Sequence, residues 1–207
     1  MINPLLDTSS LPRFGEIKPR HVLPAIQQVI ADNRAQLDEL LGSGKAPGID
    51  EIVAPVEHME HELGRVWSPV SHLQSVLGSK AWREAYNQAL PLLTEYGTEI
   101  SQNIELQRAY AKVSKNLPGD ASEASRSAVD HALRDFHLAG VDLEDEAKER
   151  FKAIMQELAQ TQATFEHNIQ DASDAWTLNI NDNDNLRGLP KAVLTRARHD
   201  AKKASLS

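Results

Sequence analysis

The spacing of apolar residues is the feature that most constrains the fold of this chain. After Pro19, apolar residues recur every three or four positions as far as Leu41, which places them on one face of an α-helix. Comparable stripes follow near 49–65, over 80–100, over 122–140 and over 143–176. The sequence therefore predicts an all-α fold, a multi-helix antiparallel bundle-like array.

Glycine and proline mark where these helices should begin and end. Pro19 stands at a helix start, Ser68–Pro69 should interrupt a helix, and Gly78 and Gly140 should close two others. The stretch "GSGKAPG" (42–48) is interpreted as a linker, since its Gly-Lys pair lacks the spacing of a phosphate-binding loop. The helix over 143–176 should bury one face, formed by Phe151, Ile154, Met155, Leu158, Phe165 and Ile169.

Only "WTLNI" (176–180) has the composition of a strand, so at most one short strand is expected near 176–180. A single strand leaves its backbone groups unpaired, and the last predicted helix, from Pro190, reaches the end of the sequence without a stop signal. Both observations favour a polypeptide that continues beyond residue 207. The alternative is a frayed terminal helix, which is common in proteins.

Composition and charge bear on the class of partner. The net charge is −8 and no basic stripe is visible, which argues against nucleic acid and against a membrane surface. The chain has no cysteine, so disulfides, thiolate zinc sites and thiol catalysis are absent. The start resembles no signal peptide, and no run approaches the roughly 20 apolar residues of a transmembrane helix. These features predict a cytoplasmic protein.

The stretch "EHMEHELGR" (57–65) is the strongest candidate for a metal site. A zinc peptidase helix carries His-Glu-x-x-His, with both histidines on one face and the glutamate polarising a water molecule. His61 and Glu62 begin this pattern, but Arg65 occupies the second ligand position and a guanidinium cannot bind zinc. His58 and His61 are three apart and could share a metal ion, yet a solvated helix face is the favoured interpretation.

The other candidate residues give weaker signals. Glu57, Glu60 and Glu62 could serve as acid–base groups, but a wet helix face is the commoner arrangement. His72 is interpreted as a structural histidine, and His131 and His137 are six apart, which does not place them on one face. Trp82, Tyr86 and Tyr96 are interpreted as core residues rather than as a stacking platform for bases. The sequence therefore assigns no catalytic, cofactor-binding or metal-binding residue within these 207 positions.

Five segments resemble the N-terminal region of the thimet oligopeptidase family of zinc metallopeptidases. Strings such as "SPVSHL" and "ALRDF" are specific, and the resemblance covers nearly the whole chain. The segments occur in this order: "LPRFGEIKPRHVLPAI" (11–26), "LGRVWSPVSHLQSVLGS" (63–79), "REAYNQALPLLTEY" (83–96), "HALRDFHLAGVDL" (131–143) and "FEHNIQDASDAW" (165–176).

The resemblance implies a helical enzyme of two lobes around a channel that admits short peptides, with zinc on a His-Glu-x-x-His helix far toward the C-terminus. Residues 1–207 would form a single helical N-terminal lobe. Its partners would be the C-terminal catalytic lobe of the same polypeptide and short oligopeptides. Because His-Glu-x-x-His is absent here, the resemblance implies a chain that is inactive alone and lacks zinc, which the full-length enzyme would hold. The alternative is a stand-alone helical module that binds peptides or proteins without enzymatic activity.

Overall fold

The computed structural model describes residues 3–7, 11–44 and 47–204. Within these ranges the chain forms seven α-helices and no strand, which confirms the all-α, bundle-like prediction. A π-helical turn, Ile49–Val53, precedes α2, and a 3-10 turn, Asn183–Leu186, precedes α7. The helices are α1 Pro19–Gly42, α2 Ala54–Leu77, α3 Lys80–Ser101, α4 Ile104–Asn116, α5 Glu123–Leu138, α6 Asp145–Ala175 and α7 Lys191–Lys203.

Short polar side chains start three of the helices by accepting a hydrogen bond from a free backbone N–H. Ser79 Oγ accepts from the N–H of Trp82 at 3.4 Å, and Asn103 Oδ1 accepts from that of Leu106 at 2.9 Å. Ser122 Oγ accepts from the N–H of Ser125 at 3.1 Å. These caps fix the starts of α3, α4 and α5, and α4 packs against α5.

Glycines close two helices where the sequence predicted. Gly78 follows α2 with a φ of 54°, and Gly140 follows α5 with a φ of 84°. The positive φ at Gly140 favours glycine, and an added Cβ would lie 2.6 Å from Leu143 Cδ1, so that side chain would have to shift. The predicted linker 42–48 begins at the last residue of α1, and its residues 45–46 lie outside the described ranges.

The predicted interruption at Ser68–Pro69 is wrong. Helix α2 continues through Pro69 to Leu77, just as α1 contains Pro24 and α3 contains Pro91. Proline removes one hydrogen bond from a helix, but Val66 and Val70 on either side of Pro69 are almost completely buried. Burial of one continuous apolar stripe thus offsets the local loss.

The chain divides into two compact units, Met1–Thr164 and Phe165–Ser207, with the boundary inside α6. In unit 1, α1 packs against α2 and α3, while α4 packs against α5 and the π-helical turn. Two apolar clusters form its core. The first contains Ile17, Val22, Ile26, Val66, Val70 and Trp82, and the second contains Leu37, Val56, Met59, Leu106, Tyr110, Val113 and Phe136.

Unit 2 holds the end of α6, the segment 176–190 and α7, and none of its described residues is buried. The expectation of at most one short strand near 176–180 agrees with the structure, in which this stretch is irregular and has no neighbouring strand among the described residues to pair with. The buried face predicted for α6 is wrong for most of its members. Ile154, Leu158, Phe165 and Ile169 are exposed, whereas Phe151 and Met155 are half-buried.

No helix within the described ranges has both the length and the apolar character needed to cross a membrane.

Candidate functional site

The first half of α2 carries the residues that the sequence singled out as a possible metal site. Pro55 lies in the first turn of this helix, and Val56, Met59 and Val66 turn toward the core of unit 1. His58 and His61 fall on the opposite side and are exposed, as expected of a solvated face. Arg65, which stands where a zinc peptidase has its second histidine, is half-buried.

The described residues contain no group of three His, Cys, Asp or Glu side chains placed to hold a metal ion. His58 and His61 therefore have no third ligand within the described ranges. Structural and catalytic zinc sites in proteins need at least three protein ligands. This part of α2 thus lacks the geometry of a zinc centre.

A cavity of unit 1 lies where its two apolar clusters meet, and helices α2 to α5 contribute most of its wall. Its volume is about 740 Å³, within the range of pockets that bind small ligands. Most of the lining is aliphatic or aromatic. The apolar lining residues include Leu37, Met59, Leu63, Trp67, Leu93, Ile100, Leu106, Tyr110 and Phe136.

Charged side chains line the same cavity from two helices. Glu57 and Glu60 come from α2, and His131 and Asp135 come from α5. Their spacings of three and four residues place each pair on one face of its helix. The three glutamates that sequence reasoning grouped together are thus separated by the structure, because Glu62 does not line the cavity.

The cavity changes the acidity of Glu60. This side chain stays accessible to water, but the surrounding protein removes part of its hydration. Desolvation raises the pKa of the Glu60 carboxyl, and the negative charge of Glu57 raises it further. The two carboxylates therefore repel each other in a partly dry site, which a cation entering the cavity would relieve.

Two buried tyrosines stand beside these carboxylates. Burial raises the pKa of the Tyr110 phenol well above its ordinary value, and the charges of Glu57 and Glu60 act in the same direction. Burial likewise raises the pKa of Tyr96, although a hydrogen bond from Asn33 opposes this shift. Both phenols stay protonated near neutral pH and can serve as hydrogen-bond donors.

The other candidate histidines have separate surroundings. His72 is exposed and its ring meets that of Phe14 edge to face, with centroids 5.5 Å apart. His137 Nδ1 lies 2.8 Å from Asp142 Oδ2 at the end of α5, where both side chains are exposed. His131 lines the cavity, so the structure does not bring it together with His137.

Spacing in the sequence did not single out Asp135 beside His131, although the two residues are four apart on one helical face and both line the cavity. That spacing was a usable signal. The approach of α2 to α5 depends on tertiary packing, and no local pattern in the sequence indicated it.

Trp82 and Tyr96 are buried in the first apolar cluster and Tyr86 packs against it, which confirms their assignment to the core.

Comparison with known proteins identifies the family. Residues 26–148, more than half of the chain, match the model of the neurolysin/thimet oligopeptidase N-terminal domain. The chain belongs to this family. The match begins inside α1 and ends in the first turn of α6, so it includes every helix that contributes to the cavity.

Longer relatives match this chain over nearly its whole length. Oligopeptidase A of Salmonella typhimurium is 39% identical over 205 residues, covering 97% of this chain and 30% of the relative. Oligopeptidase A of Escherichia coli is 37% identical over 210 residues, covering 100% of this chain and 30% of the relative. Dipeptidyl carboxypeptidase of Salmonella typhimurium is 28% identical over 214 residues, covering 99% of this chain and 31% of the relative. The chain thus spans about 30% of the length of these relatives.

Proposed function

We propose that this chain is the N-terminal helical domain, residues 1–207, of a zinc-dependent oligopeptidase that hydrolyses short peptides. The domain forms one wall of the substrate channel and is not catalytic alone. The observation that carries this proposal is the match to the N-terminal domain of a peptidase family, combined with a span of about 30% of the relatives.

The exposed apolar residues of α6 support a larger polypeptide. Ile154 and Leu158 are each 45% exposed, and Phe165 is 64% exposed. Side chains of this kind are normally covered when they recur at helical spacing. A C-terminal catalytic lobe of the same polypeptide, beyond residue 207, is the partner that would cover them.

The zinc ion of this proposal belongs to that catalytic lobe. A catalytic zinc needs three protein ligands and polarises the water that attacks the peptide bond. The sequence has no His-Glu-x-x-His, so no residue of this chain is assigned as a ligand or a catalytic group. The proposed location is the cytoplasm, supported by the absence of cysteine from the sequence.

Peptide hydrolysis and metal content test the proposal. The 207-residue chain and a polypeptide extended to the length of the relatives are purified and given a quenched fluorescent peptide, with and without zinc. We expect the extended polypeptide to bind one zinc ion and cleave the peptide, and the shorter chain to do neither. Zinc-dependent cleavage by the shorter chain, lost in His61→Ala and retained in His72→Ala, would overturn the proposal.

A stand-alone binding module is the second candidate function, and the apolar cavity of unit 1 favours it. Such a protein would hold a peptide without cleaving it. The two candidates differ in whether the reading frame continues into a His-Glu-x-x-His sequence. Its presence supports the peptidase domain, and its absence from the complete reading frame supports the binding module.

A further inference from the structure

The cavity of unit 1 combines an apolar floor with an acidic wall. Its volume of about 740 Å³ is enough for two or three amino-acid side chains with the backbone that joins them. Large apolar residues from both clusters form the floor, among them Trp67, Leu93 and Phe136. A ligand that fills this space must therefore present an apolar group.

The charge of the wall is one-sided. Glu57, Glu60 and Asp135 line the cavity, while none of the described lining residues is a lysine or an arginine. Asp135 Oδ1 already accepts a hydrogen bond from Arg134 at 2.8 Å, so the two glutamates carry the charge that a ligand would meet. His131 is the one histidine among the described lining residues. Carboxylates in a partly desolvated site attract an ammonium or guanidinium group more strongly than carboxylates in open water.

Tyr110 supplies a second, independent indication that the cavity receives a ligand. Its side chain is 4% exposed and its ring packs edge to face on Phe136, with centroids 5.5 Å apart. Among the described residues its hydroxyl has no hydrogen-bond partner and is not sealed from solvent, so a ligand that enters the cavity can reach it. Tyr110 is part of the cavity lining, and its phenol is close enough to feel the charges of Glu57 and Glu60.

We propose that this cavity binds a peptide segment in which a lysine or arginine adjoins a large apolar side chain. The basic group pairs with Glu57 and Glu60, the apolar side chain lies on the floor, and the Tyr110 hydroxyl donates a hydrogen bond to the peptide. The choice of a peptide rests on the proposed function. The preference for a basic and apolar pair rests on the charge and lining of the cavity.

Direct binding measures this preference. The probe is a fluorescein-labelled hexapeptide, acetylated and amidated, with one lysine followed by leucine and phenylalanine among alanines. Its matched control replaces the lysine with norleucine, which keeps the aliphatic stem and removes the charge. We expect fluorescence anisotropy to show about tenfold weaker binding of the norleucine peptide, as for the loss of one charged hydrogen bond.

Two pairs of variants test whether the peptide binds in the cavity. Glu60→Gln should weaken binding of the lysine peptide about tenfold, whereas Glu62→Gln, on the same helix but outside the lining, should change it less than about twofold. Gly64 lines the cavity, and a Cβ there would meet no atom within 4 Å. Gly64→Leu should therefore fill the cavity and abolish binding, whereas Ser68→Leu, exposed on α2, should not.

Folding is controlled within the same experiment. Leucine favours a helix more than glycine or serine does, so both leucine variants should retain the helical circular dichroism of the parent chain. If the 207-residue chain is unfolded by this measure, the titration is made on the extended polypeptide. Equal affinity for the two peptides, or unchanged binding by Gly64→Leu, would overturn the proposal.

The remaining outcomes are also decisive. If Gly64→Leu instead removes self-association, measured by sedimentation velocity, the occupant is a second copy of the chain and the peptide proposal is wrong. Cleavage of peptides by the extended polypeptide without any binding preference would refute this inference and leave the proposed function intact. A clear binding preference in an extended polypeptide that cleaves no peptide would support this inference and refute the proposed function.

Discussion

Units 1 and 2 contain the same kind of sequence but bury it to different extents. Both contain helices whose apolar residues recur at helical spacing. In unit 1, Leu106 and Val129 are completely buried. In unit 2, Phe165 is 64% exposed and Ile169 is 51% exposed, and no described residue is buried.

The difference shows what helical spacing does and does not determine. An amphipathic pattern stabilises a helix only when another surface covers its apolar face. In unit 1, neighbouring helices of the same unit provide that surface. The apolar residues of unit 2 need a surface that its own described residues do not provide, which supports the proposed continuation into a catalytic lobe.

The largest expected effect comes from truncating a leucine in each unit. Leu106→Ala removes a completely buried side chain from the second cluster and should lower the free energy of unfolding by about 2–5 kcal/mol. Leu178→Ala should change it by less than about 0.5 kcal/mol, because that side chain is already exposed. Urea unfolding followed by circular dichroism measures the stability of both variants. Similar losses of unfolding free energy would contradict the difference in burial between the two units.

A buried amide provides a second test of how tightly unit 1 is packed. Asn33 is 2% exposed, and its Nδ2 donates a hydrogen bond to the carbonyl oxygen of Met59 at 3.0 Å, joining α1 to α2. Asn33→Ala should destabilise the protein by about 1–3 kcal/mol. Gln36→Ala, exposed on the same helix, is the control and should have little effect in the same urea titration. An equal response of both variants would mean that the bond between α1 and α2 contributes nothing.

Sequence patterns predicted the helices of this chain better than their packing. The start of α1 at Pro19 and the ends marked by Gly78 and Gly140 followed from local backbone chemistry, and all three are confirmed. The break expected at Pro69 failed because the apolar stripe on both sides is buried in the tertiary structure. A rule based on neighbouring residues cannot include the free energy of this burial, which depends on helices distant in the sequence.

The candidate site shows the same limit more strongly. Sequence reasoning found Glu57 and Glu60 of α2 and interpreted them as solvated, and both are exposed. It did not indicate the cavity that they line, because the cavity depends on α4 and α5, which bring Tyr110 and Asp135 to the same place. The burial expected for Phe165 failed for the opposite reason, since spacing alone does not reveal whether a covering surface exists.

A smaller effect is expected at the ion pair that joins α3 to α6 within unit 1. Lys152 Nζ lies 2.7 Å from Glu95 Oε1, and both side chains are partly exposed. The hydrogen bond from Lys152 holds the pKa of Glu95 below its ordinary value. Because solvent screens the pair, Lys152→Gln should cost about 0.2–1 kcal/mol near neutral pH, whereas Lys148→Gln should cost less.

The sign of the pH dependence follows from the lowered pKa of Glu95. As the pH falls, the unfolded chain binds a proton at Glu95 at a higher pH than the folded chain does. The contribution of the ion pair to stability is therefore fully present above the ordinary pKa of glutamate. It is lost as the pH falls through the lower pKa of the folded state. Thermal unfolding of the parent and of Lys152→Gln should therefore converge once the pH is well below the lowered pKa of Glu95 in the folded state. A difference that persists there would show that the packing of Lys152, rather than its charge, stabilises α6.

The smallest effect on this chain is expected at Phe165, where α6 enters unit 2. Phe165→Gln should change the stability of the 207-residue chain by less than about 0.5 kcal/mol, because the ring is 64% exposed. In the extended polypeptide the same change should cost about 1.5–3 kcal/mol, the free energy of burying a phenylalanine side chain. Glu166→Gln, also exposed on α6, should be neutral in both. Equal, small effects in both polypeptides would mean that the catalytic lobe does not cover Phe165, and the exposure of unit 2 would then need another explanation.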